Sequence, residues 1–163
     1  MAIAGGVETM SRQPLGANFA SHGFPFPPEL MARYPLTSQG IAAEEIAKKW
    51  GIDRREADEF ALSSYEKAKR ARDTGRFDRE IMPIEVELEG QKAVIKTDEG
   101  IRDTSLEKLA SLTPSFREDG IHHAGNSSQI TDGAAALLLM SAEKAKELGV
   151  KPRARIVAQA VVG

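Results

Sequence analysis

Apolar positions along this chain change their period several times, and each change marks an element. Ile41, Ala42, Ile46 and Trp50 recur at helical spacing, and Gly51 stands where a left-handed residue ends a helix. The next run is the clearest helix. Asp53 followed by Glu56 makes a capping-box start, and Ala57, Phe60, Ala61, Ser64, Tyr65 and Ala68 form one face. Gly75 ends it after a basic last turn. The period then falls from 3.6 to 2. Ile84, Val86 and Leu88 alternate with Glu85, Glu87 and Glu89, a turn falls at Glu89-Gly90-Gln91, and Val94-Ile95 return, which predicts a β-hairpin. Leu106, Leu109 and Leu112 predict a short amphipathic helix stopped by Pro114, and "SAEKAKELG" predicts a capped helix over 141–149. From 11 to 35, prolines 25, 27, 28 and 35 exclude a continuous helix and leave a loop with one helical turn at 29–33.

Three strand-like pieces remain, at 2–4, 133–140 and 154–162. The first is closed by Gly5-Gly6. "GAAALLLM" reads as a strand buried on both faces. These pieces call for a sheet covered on two sides, and the chain has too few helices to cover it. Residues 2–4 and 154–162 are expected to lack sheet partners within the chain and to be its weakest parts. Either the chain is a fragment of a larger α/β protein, or its strands pair with another chain.

Composition narrows the classes. At 163 residues there is enough for one domain with a core. The net charge is −2 with both signs mixed, so no basic stripe suits nucleic acid, and "EKAKRAR" at 66–72 reads as a solvated helix face. No 18-residue apolar run suits a membrane span, and no signal-peptide pattern opens the chain, so the expected compartment is cytoplasmic. There is no cysteine, which excludes disulfides, thiolate metal sites and a cysteine nucleophile from this chain.

Chemistry gathers in "HHAGNSSQITDG" at 122–133. Gly125, Asn126, Ser127 and Ser128 favour a tight turn in which Asn and Ser bond neighbouring amides. They also suit a ligand lying close against the backbone, and the residues alone leave both readings open. His122 and His123 are adjacent, so an extended segment points them to opposite sides, which argues against a shared metal. Asp98-Glu99 reads as a solvated turn rather than an acid/base pair. Arg102 is either an anion-binding group or a surface partner of Asp103 or Glu99.

Six blocks carry a resemblance: "AGGVETMSR" (4–12), "GIAAEEIAKKWGIDRREADEFALSSYEKA" (40–68), "GRFDREIMPIEV" (75–86), "TDEGIRDTSLEKLASLTPSFREDG" (97–120), "AGNSSQITDGAAALLLMSAEKAKELG" (124–149) and "PRARIVAQAVVG" (152–163). In register, they resemble consecutive segments of the thiolases, the acetyl-CoA C-acyltransferases. The resemblance implies an α/β, thiolase-like fragment: a mixed α+β loop domain with a β-hairpin, flanked by strands of the two thiolase core halves. Residues 1–11 would end the first half, 12–131 form the CoA-binding loop domain, 132–150 return to the first half, and 151–163 open the second.

The same resemblance assigns a CoA site. Ser128 matches a serine on the pantetheine, Ala124 the small residue beside it, Phe116 an aromatic of the pantetheine tunnel, and Arg102 a cation near the nucleotide end. Ser38 and Gln39 stand where many biosynthetic thiolases have His-Met, so they are acyl-pocket candidates, and strict acetoacetyl specificity is not implied. The "SRQPLGANF…FPFPPEL" stretch looks more like thiolases that degrade larger acyl chains. The family's nucleophilic cysteine lies upstream of the "AGG-E-M" block, and its other catalytic groups lie downstream of the last block. The resemblance therefore implies no catalytic residue in this chain, no cofactor and no metal, with CoA and acyl-CoA as substrates. It also implies a homodimer or homotetramer for the full-length enzyme. The alternative is a non-catalytic truncated module that binds CoA or assembles with partner chains.

Overall fold

Four of the helices begin with the same device, a side-chain oxygen that takes an otherwise unpaired amide, three of them in the central part of the chain. In the computed structural model, which describes residues 1–161, the Ser38 hydroxyl accepts from Ile41 N and starts α3 (Gln39–Trp50). Asp53 and Glu56 exchange bonds across the start of α4 (Arg54–Asp73), at 2.8 and 3.0 Å, completing the capping box. Ser105 accepts from Lys108 N at 3.3 Å and starts α5 (Leu106–Ala110). With α2 (Pro28–Arg33) and the hairpin β2 (Ile84–Leu88) and β3 (Gln91–Ile95), these elements make one compact unit, residues 26–129. Glu89 and Gly90, with φ of 51° and 79°, form the two-residue turn. Gln91, expected in that turn, already pairs with Leu88.

The second unit joins residues 1–25 to the chain from 130 on. Here β1 (Ala2–Glu8) and β4 (Gly133–Leu139) form an antiparallel ladder from Ala2↔Leu139 to Glu8↔Gly133. The expectation that residues 2–4 lack a partner is thus corrected, and so is the closure at Gly5-Gly6. The strand runs through both glycines, which pair with Ala136 and Ala135, and at residue 5 a Cβ would stand 2.8 Å from the Ala135 carbonyl oxygen, a separation that only glycine permits. Also contrary to expectation, β4 is exposed along its whole length within this chain. Beside Ser11, Asp132 accepts from its amide at 2.8 Å and from its hydroxyl, and these bonds hold the Asp132 carboxyl below its usual range.

Further corrections concern the ends and one segment the sequence left as loop. A six-residue helix, α1 (Ala17–His22), forms without a side-chain cap. Residues 154–161 form no strand, and residue 162 lies outside the described residues. The helix expected over 141–149 is α6 (Ala142–Glu147), capped by Ser141 and burying Ala145. Among the described residues, no helix is long and apolar enough to cross a membrane.

Candidate functional site

Helix α3 does not bury the apolar set its spacing suggests. Ile46 and Trp50 are 53% and 64% exposed, and the buried positions are Gly40, Glu44 and Ala47. The reason is the loop that follows Phe116. The amides of Ile121 (3.2 and 3.0 Å) and His122 (3.0 Å) both need an acceptor, and the Glu44 carboxylate supplies it. His122 Nδ1 also stands 3.2 Å from Glu44 Oε1. Burial pushes the Glu44 carboxyl up, but the two amide bonds and the His122 ring outweigh it and hold the group below its ordinary value.

A carboxylate depressed in this way contributes stability at neutral pH that is lost as pH falls through the carboxylate range. Glu44→Gln is expected to flatten the acid limb of a Tm-against-pH curve below about pH 5. Parallel limbs for the two proteins would show that Glu44 carries no folding-linked charge.

The adjacent histidines diverge, as extended geometry requires. His123 is completely buried, and its Nε2 stands 2.8 Å from Asp58 Oδ1 on α4. Asn126 Nδ2 donates to the same oxygen at 3.0 Å. Asp58 is 3% exposed and was not legible as a core position. The i,i+4 spacing of Arg54 and Asp58 was the available signal; Arg54 Nε lies 3.7 Å from Asp58 Oδ2.

Three segments carrying the expected ligand residues are tied to this loop. Ser115 N donates to His122 O at 2.9 Å, next to Phe116. Gln129 Nε2 donates to Gly100 O at 2.8 Å, which fastens the turn before Arg102 to the residue after Ser128. The Phe116 ring lies on α3 at Gly40, where an added Cβ would meet ring carbons at 2.1–2.4 Å. Phe116 is thereby placed beside the start of α3, where Ser38 is engaged as the cap and Gln39 is exposed. Ala124 and Ser128 are both exposed. Arg102 is exposed and, among the described residues, has no ion-pair partner. Its neighbour Asp103 pairs instead with Lys69 at 2.5 Å, and that pair lowers the Asp103 carboxyl. Asp98 turns back to accept from Gly100 N at 2.7 Å.

Between α4 and this loop runs an open groove of about 360 Å³. The α4 face marked by the sequence lines it, from Ala57 to Ala68, opposite Gly100, Ile101 and residues 125–127. Phe60, expected in a core, is 76% exposed there. None of Arg102, Phe116, Ala124 and Ser128 lines the groove, although neighbours of three of them do.

The family described as "Thiolase, N-terminal domain" matches residues 1–143. A probable acetyl-CoA acyltransferase of Staphylococcus aureus (strain COL) is 42% identical over 164 aligned residues, which cover 93% of this chain and 42% of the relative. Among solved structures, the dimeric peroxisomal thiolase of Saccharomyces cerevisiae is 35% identical with a TM-score of 0.70, covering 91% of this chain and 38% of that one. The Bacillus anthracis acetyl-CoA acetyltransferase is 43% identical with a TM-score of 0.60, covering 69% and 29%. The chain spans about two fifths of the length of the curated relatives it matches.

Proposed function

Because the chain belongs to the thiolase family and has its fold, we propose that it carries the CoA-binding segment of an acetyl-CoA C-acyltransferase. The whole enzyme would cleave a 3-oxoacyl-CoA with CoA, or run the reverse Claisen condensation, through an acyl-cysteine. Residues 12–131 would be the loop domain, with 1–11 and 132–150 belonging to the first core half and 151–163 opening the second. The observation that carries the reading is the cross-tied loop. Gly100–Gln129 and Ser115–His122 hydrogen bonds hold the segments bearing Arg102, Phe116 and residues 124–128 to one another.

In this reading the unpaired Arg102 guanidinium receives phosphate. Phe116 forms the apolar wall, and Ala124 leaves room beside Ser128, whose hydroxyl bonds the pantetheine. Ser38 and Gln39 border the acyl end, and CoA is a substrate, not a cofactor. A cytoplasmic homodimer or homotetramer acting in fatty acid breakdown completes the proposal. The yeast relative, described as dimeric, supports the oligomer.

CoA titrated into the labelled chain and followed by NMR is expected to bind with a Kd of about 0.1–1 mM, roughly −4 to −5.5 kcal/mol. The weakness reflects a loop that faces only one wall of a site. Arg102→Ala should weaken binding most at low salt. Ser128→Ala should cost about 1 kcal/mol at any salt. No shifts at Arg102 or in 124–129 at millimolar CoA would sink the assignment.

A further inference from the structure

We propose that Asp58 is a positioning residue for the ligand loop, acting through His123 and Asn126; the proposal rests on reading residues 124–128 as facing CoA. That loop has few backbone bonds of its own. Beyond the Ser115–His122 tie, Asn126 N donates to His123 O at 3.1 Å. Side chains supply the rest of its shape. Asn126 Oδ1 accepts from His123 N at 2.8 Å, and Nδ2 donates both to Ile121 O and to Asp58 Oδ1 at 3.0 Å. One carboxylate oxygen therefore receives both His123 Nε2 and Asn126 Nδ2.

The proton on His123 is fixed by its other neighbour. Gly125 N, which can only donate, points at Nδ1 from 3.1 Å. Nδ1 must then be the bare nitrogen, and Nε2 carries the hydrogen given to Asp58. A carboxylate is the group that can take two such donors from one side while its second oxygen faces Arg54. Arg54 extends the reach of the network. Its Nη2 donates to the carbonyls of Leu109 (3.0 Å), Ala110 (3.3 Å) and Leu112, at the end of α5 that leads to Phe116.

Asp58 and His123 are closed to solvent, so water cannot stand in for either. With His123 drawn inward, Ala124 is left at the surface, and Ser128 is exposed again after the three half-buried residues 125–127. Asp58 touches no ligand in this arrangement. It sets where the ligand-facing residues stand.

NMR on the labelled full chain tests this. The His123 ring should show the Nε2–H tautomer, and the Gly125 amide should exchange slowly. Asp58→Asn keeps the shape but removes the charge, and Asn126→Asp sets a second carboxylate against the first. Each is expected to weaken CoA binding about tenfold, the size of one lost charged hydrogen bond. Each should also move the amides of 122–128 while leaving those of the β2–β3 hairpin in place. Val86→Ala, in the hairpin, should lower Tm without changing the Kd for CoA. An Nδ1–H tautomer in the wild type, or an unchanged Kd in both network variants, overturns the proposal. A wild type that binds no CoA removes the ligand reading alone. The Asp58 claim is then decided by the loop amides, which must shift in Asp58→Asn if it is right.

Discussion

Acetoacetyl-CoA mixed with CoA and this chain alone is expected to be cleaved no faster than in buffer. Acyl transfer through a covalent intermediate needs a nucleophile and a base that activates it. The chain has no cysteine, and both histidines of its loop are committed: His123 to Asp58 and Gly125, His122 beside the Glu44 carboxylate. Removing the nucleophile from an acyl-transfer enzyme costs on the order of 10⁶ in kcat. The same protein should bind CoA measurably, so the expected pattern is occupancy without turnover. Following thioester absorbance with protein freed of host thiolase checks it. A rate well above buffer that scales with chain concentration would require a nucleophile other than cysteine.

The second large effect is Leu109→Ala, expected to destabilise the 26–129 unit by about 3 kcal/mol. Leu109 is 1% exposed, and among the described residues the only other buried apolar side chain of that unit is Ala47. Among the described residues, no other large apolar side chain of that unit is fully buried, and the buried His123 beside it is held by Asp58. The lost volume lies directly under the loop: a Cβ placed on Gly125 would come within 2.5 Å of Leu109 Cδ2. Urea unfolding should therefore show the loss of stability, and hydrogen exchange should show residues 122–126 opening first. A change below about 1 kcal/mol would mean that the loop collapses into the space.

Local chemistry was the legible part of this chain. The capping box at Asp53, the capped start of the helix at Ser141 and the period-2 alternation of the hairpin depend on neighbours within a few residues, and each formed as read. Helix faces were less legible where a distant partner decided them. α3 turns Glu44 inward and Trp50 outward because unpaired amides at 121 and 122 outweigh apolar spacing. Helix α1 hid in a proline- and glycine-rich stretch with no capping side chain. Residues 154–161 have strand composition, but a strand needs a partner, and among the described residues none pairs with them. The ligand residues came from resemblance rather than from pattern. The network beneath them joins groups 65 residues apart, which no local spacing reveals.

The β1–β4 ladder also sets an order of events. Glu8 meets Gly133 across the whole of the 26–129 unit. On a ribosome, β1 emerges before the 26–129 unit and cannot pair with β4 until that unit has been made. Closing so long a flexible loop is entropically unfavourable, and non-local strand pairing of this kind is slow. If the intervening unit folds during the wait, most of that loop is already compact when β4 arrives. The pairing of β1 with β4 should then depend on how fast the inserted unit folds, and variants that slow the insert should lengthen the time before that ladder closes.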